Sequence, residues 1–322
     1  MALIRSKKFT AGVLSAAMLA GTFLTGFTYQ DGIGNVYYEA KTKIYDDAYY
    51  SEQLAGHSTN GIERAYFINA DIRNSDLKPY VFEGEVTGSY TMDTMVSTLE
   101  SQGYKVVAGI NGDLYDTATG APKGLTIHDG RIKSSGYAPE YVISFDENGA
   151  ASLQKVNLGY SLKGTINVPT TVVSPPAVDP SQVTDPAAAQ PVAADPAAVQ
   201  SGTTQTVGVP SDWTAPIGYF NIPHGNAKAL HLFNRQYAAS TKTTGKTVEV
   251  ILDAGSADNA EPKVGGTITA TVVEVRNGTS NTPIGANQLI LSAAIDSPYA
   301  IPVSYLVPGS TVEITVEDWG GG

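Results

Sequence analysis

Residues 106–115 read Val-Val-Ala-Gly-Ile-Asn-Gly-Asp-Leu-Tyr. An apolar, strand-forming run stops at an amide, a glycine and a carboxylate: Asn111-Gly112-Asp113. Polar groups delivered from the end of a strand are held rigidly at the rim of a cleft. The amide of Asn111 could donate to a sugar hydroxyl or a phosphate oxygen. The carboxylate of Asp113 could accept from hydroxyls, bind a cation, or act as an acid or base. An ordinary turn competes with all of these, because Asn-Gly is also the commonest hairpin signal. Two features favour a site. The preceding run is apolar on both faces, which predicts a buried strand. The segments Ala121-Pro122-Lys123-Gly124-Leu125 and His128-Asp129-Gly130-Arg131 also follow close behind. Asn111 and Asp113 are therefore the candidate catalytic residues, with Gly112, Lys123 and Gly124 as substrate-binding candidates. Lys123 could pair with a phosphate. Asp116 shares its loop. Asp129 is explained by an Asp-Gly turn, and His128 stands beside it as a lone histidine.

His224 and His231, with Asn221 and Asn226 nearby, offer no convergent third metal ligand in their spacing. No cysteine is present, which excludes thiol nucleophiles, disulfides and cysteine-ligated zinc. No metal site is therefore expected from ligand spacing. Whether a divalent cation takes part is left open.

The elements that must position these residues can be read from periodicity. Residues 65–71 alternate as a half-buried strand, and 78–82 form another. Met92, Met95, Val96 and Leu99 fall on one helical face, with Thr91 as N-cap and Gly103 just past the end. The helix feeds a strand over 105–110. A hairpin over 124–133 turns at Asp129-Gly130, a second pairs 141–145 with 151–156, and a strand covers 161–168. Residues 174–200 turn to Pro, Ala and Asp without periodicity, as an extended insertion does. Strands then resume at 229–233, 247–254, 267–276, 288–292 and 311–317.

The fold class expected is α+β: a mixed, mostly antiparallel sheet core with few helices, plus a β-rich barrel- or sandwich-like region. The expected organisation is a signal peptide or anchor at 1–28, an N-terminal unit at 41–168, a Pro/Ala-rich insertion or linker at 169–210, and a β-rich continuation at 211–322. The first of these rests on Arg5, Lys7 and Lys8 before the apolar run from Phe9 to Phe27. It points to a secreted or cell-surface location and to membrane contact only through that segment. A net charge of −11 disfavours nucleic acid as a partner. Gly 33 and Tyr 18 suit a turn-rich β protein.

The order strand, Asn-Gly-Asp, acidic loop, Pro-x-Gly-Leu and Asp-Gly-Arg resembles the phosphodiester glycosidase family. That family includes the enzyme that removes N-acetylglucosamine from its phosphodiester, and bacterial exopolysaccharide-associated proteins. The resemblance is strong over 65–131. It is weaker over 219–317, where an apolar strand and Ser240-Thr241 match but Gly225 stands where a basic residue is usual. It implies an exported hydrolase of sugar-1-phosphodiesters, with a carbohydrate or sugar-phosphate as partner and Asn111 and Asp113 in the site. The family's later motifs, of the types Gly-Gly-x-Pro, Thr-Ala-Ile-Gly and Asp-Gly-Gly-x-Ser, do not occur before Gly322. The chain as given is thus expected to hold only part of that site. The alternative is a glycan-binding or cell-envelope scaffold protein without turnover.

Overall fold

The computed structural model describes residues 2–6, 34–57, 61–73, 76–82, 84–137, 140–173, 204–225 and 228–319. In chain order the elements are β1 (Ala2–Ser6), β2 (Asn35–Tyr45), β3 (Ala48–His57), β4 (Gly61–Ala70), β5 (Leu77–Tyr80), α1 (Met92–Ser101) and β6 (Tyr104–Gly109). Next come β7 (Thr126–His128), β8 (Arg131–Ser134), β9 (Glu140–Phe145), β10 (Ala151–Val156), β11 (Leu158–Val173) and β12 (Thr204–Ile217). The last are β13 (Tyr219–Phe220), β14 (Leu230–Asn234), β15 (Thr247–Asp253), β16 (Thr267–Thr279), β17 (Gln288–Ala294), α2 (Ala300–Ser304) and β18 (Thr311–Asp318). The chain is sheet-dominated and mostly antiparallel, with few helices.

An eight-stranded sheet in the order β12-β11-β18-β16-β15-β17-β14-β13 forms the body. β14, β15 and β17 are buried on both faces, with buried residues at successive positions, whereas β16 and β18 alternate buried with exposed ones. Val248, Val250 and Leu252 of β15 face the main core with Leu230 and Leu232 of β14 and Leu289 and Leu291 of β17. Ile251, Phe233 and Ile290 point the other way, into a second cluster with Val86, Ala121 and Tyr237. Each fully buried aliphatic side chain contributes about 1.5–3 kcal/mol, so this sheet carries most of the fold's stability. The two edge strands β12 and β13 are consecutive in the chain, joined through Gly218. The ladder stays open between them, so the expected barrel is not closed.

Glu249 of β15 is fully buried on the second face. Its Oε1 accepts from the hydroxyls of Thr241 (3.0 Å), Thr243 (2.8 Å) and Ser292 (3.2 Å), and its Oε2 from the Thr282 amide (3.1 Å). A buried carboxylate survives only with such partners.

The strand and helix that precede the candidate site belong to a smaller unit. β1, β5 and β6 form a three-stranded antiparallel sheet with β1 in the middle. Ala2–Ser6 of the expected targeting segment is thus described as a strand, while residues 7–33 lie outside the described residues. α1 covers this sheet through Leu99, packed with Tyr80, Phe82, Tyr104 and Val106. Thr91 caps α1 by accepting from the Thr94 amide at 3.2 Å, and Gly103 follows at φ 90°, both as the sequence predicts. Separately, β2, β3 and β4 form an antiparallel sheet in which Tyr50 and Tyr66 stack at 6.2 Å.

The expected insertion at 169–210 is described only at its ends. Residues 169–173 and 204–210 extend β11 and β12 into one long hairpin ribbon, paired from Tyr160–Ile217 out to Val173–Thr204. Residues 174–203 lie outside the described residues.

Candidate functional site

Asn111-Gly112-Asp113 lies just past β6, and the chain turns back at once. Residues 114–123 form a short hairpin: the Lys123 amide donates to the Leu114 carbonyl (2.9 Å) and the Asp116 amide to the Ala121 carbonyl (2.8 Å). Asp116 builds its turn, its Oδ1 accepting from the Ala118 (2.8 Å) and Thr119 (3.0 Å) amides. Those two backbone donors hold its carboxyl below the usual aspartate range, with a smaller contribution from Lys123. Asp116 is thus a turn residue.

Asp113 does something different. Its Oδ1 accepts from the Leu114 amide at 2.7 Å, and its Oδ2 accepts a short hydrogen bond from the amide of Gly124. The Pro-Lys-Gly-Leu segment and the strand end are thereby drawn together. The fit needs glycine at 124, because a Cβ there would sit 2.7 Å from Asp113 Oδ2. Asp113 stays exposed, and each carboxylate oxygen keeps a further lone pair for a ligand. Asn111 and Gly112 are exposed beside it, and the Asn111 side chain makes no hydrogen bond among the described residues. Lys123 extends from the hairpin, also exposed. Asp113, Lys123 and Gly124 are thus brought together, with Asn111 and Gly112 on the strand end that leads into them.

The expectation of a buried strand before the motif is corrected. β6 is only half-buried, Ile110 is 55% exposed, and Leu114 and Tyr115 are exposed. The reason is the size of the sheet: α1 covers one side of three short strands, and Leu99 is the one fully buried residue of that cluster. The apolar composition of residues 106–110 therefore reports an exposed flank rather than a deep core.

Beyond the motif, the hairpin β7–β8 is fixed to the large sheet. Asp129 (φ 48°) and Gly130 (φ 72°) form its turn, the conformation that Asp-Gly favours. His128 packs edge-on against Tyr80 at 4.5 Å. Arg131 pairs with Asp258, and Lys133 Nζ reaches Glu261 at 3.1 Å. Buried Asn221 donates to the Lys133 carbonyl (2.9 Å) and to Asn234 Oδ1 (2.8 Å). Asn221 is therefore structural, and Asn226 lies outside the described residues.

His224 and His231 stack at 4.2 Å, with Tyr219 5.1 Å from His231. Burial lowers the His224 pKa, opposed in part by the charge of Glu249. Among the described residues no three His, Asp or Glu side chains gather as a metal site would require. His231, Ser292 and Glu249 lie side by side across β14, β17 and β15, since both His231 and Glu249 pair with Ser292. The sequence reading passed over Glu249. Its signal was a charged residue in the middle of the apolar run 247–252.

Comparison with known proteins adds fold-level likeness alone. The chain matches no protein-family model and no curated protein. Among solved structures it is similar to a hypothetical protein from Synechocystis, with TM-score 0.52 and 11% identity. That match covers 88% of this chain and 41% of the Synechocystis protein, so this chain spans about two fifths of that protein's length. A second structure, described as a candidate exported protein of Burkholderia pseudomallei, aligns with TM-score 0.44 and 12% identity over 96% of this chain and 73% of its own. Among the described residues no helix is long and apolar enough to cross a membrane.

Proposed function

We propose that this chain carries part of the site of an exported phosphodiester glycosidase, which hydrolyses the bond between a sugar's anomeric carbon and a phosphodiester on secreted or cell-surface glycans. The observation that supports it is the Asp113–Gly124 hydrogen bond. It ties the Asp113 carboxylate, just past the end of β6, to the backbone of the Lys123-Gly124 segment. Lys123 and Asn111 would meet phosphate oxygens and sugar hydroxyls. Asp113, held by two backbone amides, would face the positive charge that develops at the anomeric carbon. A phosphate monoester is a better leaving group than a sugar alkoxide, so little acid assistance is required.

A non-catalytic glycan-binding role is the second reading. It draws on the fact that both Asp113 oxygens already accept backbone hydrogen bonds.

One titration, on the chain joined to the remainder of the family's site, separates the two: a sugar-1-phosphodiester is added while binding and released sugar are followed together. Saturable binding weakened by Lys123→Ala, with sugar release lost in Asp113→Asn, supports the hydrolase. The same binding with no release supports the binding protein. Binding that is indifferent to Asn111, Asp113 and Lys123 ends both.

A further inference from the structure

The strand that ends at Asn111 belongs to a unit of two parallel strands, β5 and β6, joined through α1. The two do not pair with each other. Each pairs with β1, which runs antiparallel between them. A strand-helix-strand unit split in this way has a slot one strand wide at its centre. With the slot empty, the inner edges of β5 and β6 would present unpaired amides and carbonyls, which sheets avoid.

The residues that fill the slot are Ala2–Ser6, and export gives them another place. Arg5, Lys7 and Lys8 precede the apolar run 9–27. When such a segment enters a bilayer, its basic end stays on the cytoplasmic side. About 30 Å of hydrocarbon then separates it from the exported residues. Cleavage would remove it altogether. Either way, residues 2–6 cannot pair with β5 and β6 once the protein is outside. β1 is also an imperfect occupant. Its register with β6 shifts between Leu3 and Ile4, and it sets Arg5 opposite Lys105, an unfavourable pairing of like charges.

We infer that the slot between β5 and β6 is a strand-acceptor site: residues 2–6 occupy it before export, and in the exported protein a strand of the same protein from outside residues 1–322 replaces them. The chain spans about two fifths of the Synechocystis protein whose fold it resembles, so a fold of this kind is built with further chain. A short strand suffices, since β5 has four residues and β6 six. Its side chains on the α1 side must be apolar, because Leu99 packs there with Tyr80, Phe82, Tyr104 and Val106. β6 runs directly into Asn111-Gly112-Asp113, so the incoming strand delivers its own residues beside the candidate site. This inference rests on the export half of the function proposed above and not on the hydrolase chemistry.

The test places a photoreactive phenylalanine analogue at Lys78, exposed on β5 and paired with Ile4. In the 322-residue chain with its N-terminus intact, cross-links from position 78 to residues 2–8 are expected. In the protein expressed from its whole gene and recovered outside the cell, the link is expected to move to a segment of the same protein beyond residues 1–322. The same analogue at Lys105, exposed on β6 and paired with Arg5, repeats the reading if the first variant melts lower than the unmodified protein. An exported protein still linked to residues 2–8, linked to a different protein, or not linked at all would overturn the slot assignment while leaving export intact. A gene that ends at Gly322 would overturn it as well. Fractionation reads export separately: a protein never found outside the cytoplasm ends the export reading and this inference with it.

Discussion

The large sheet and the small one use similar residues to different ends. In β15 and β17 the apolar side chains are buried on both faces, and the carboxylate in the middle of β15, Glu249, is fully enclosed and fully hydrogen-bonded. In β6 the apolar side chains are half-exposed, and the carboxylate at its end, Asp113, faces solvent while holding two backbone amides. A buried carboxylate stabilises a fold through the donors it satisfies. An exposed one held rigidly keeps capacity for a ligand. The hairpin β7–β8 belongs to the first regime, through Arg131, Lys133 and Asn221, and Asp113 ties the second regime to it.

The sharpest way to break this contrast is at Glu249. Glu249→Ala strands three hydroxyls and an amide in the core, and is expected to cost about 3–5 kcal/mol of global stability, read from denaturant midpoints. A change below about 1 kcal/mol would mean that water or rearrangement replaces the carboxylate. Leu99→Ala comes next. It is expected to cost about 2–3 kcal/mol but mainly within the small unit. Hydrogen exchange should quicken in α1 and β6 while the amides of β15 and β17 keep their protection. Uniform loss across both sheets would show that the two regions unfold as one.

Gly124→Ala tests the tie itself. The added methyl collides with the Asp113 carboxylate, so the Gly124 amide is expected to lose its acceptor and exchange faster, at a cost of roughly 1–2 kcal/mol. Retained protection of that amide would show that the strand end can shift without losing the contact.

The smallest effect concerns pH. Burial lowers the folded pKa of His224 below its ordinary 6.5. The unfolded chain therefore takes up that proton first, and stability is full above about pH 6.5 and declines as pH falls through the folded value. In His224→Gln the decline over that window should flatten. An unchanged slope would assign it to other groups.

Much of this organisation was legible in the sequence, and the parts that were not share a cause. Periodicity placed α1, its cap at Thr91 and the strands from β4 onward except β12 and β13, because each is a local pattern answered by local backbone preference. The Asp129-Gly130 turn was legible for the same reason. The burial of β6 was not. An apolar run looks the same whether three strands or eight surround it, and only long-range pairing decides that. In the site, residue types marked Asp113, Lys123 and Gly124 as candidates. Their meeting through one hydrogen bond is a matter of the hairpin over 114–123.

On the proposed function, the end of β6 and the Lys123-Gly124 segment act as one ligand site, joined by Asp113. Backbone amide resonances followed during a titration with a sugar-1-phosphodiester test it most directly. Gly112, Asp113, Lys123 and Gly124 are expected to shift together on a single saturation curve, lost or displaced at least roughly tenfold in Asn111→Ala and Lys123→Ala. Shifts confined to one of the two segments, or a curve unmoved by either substitution, would contradict it.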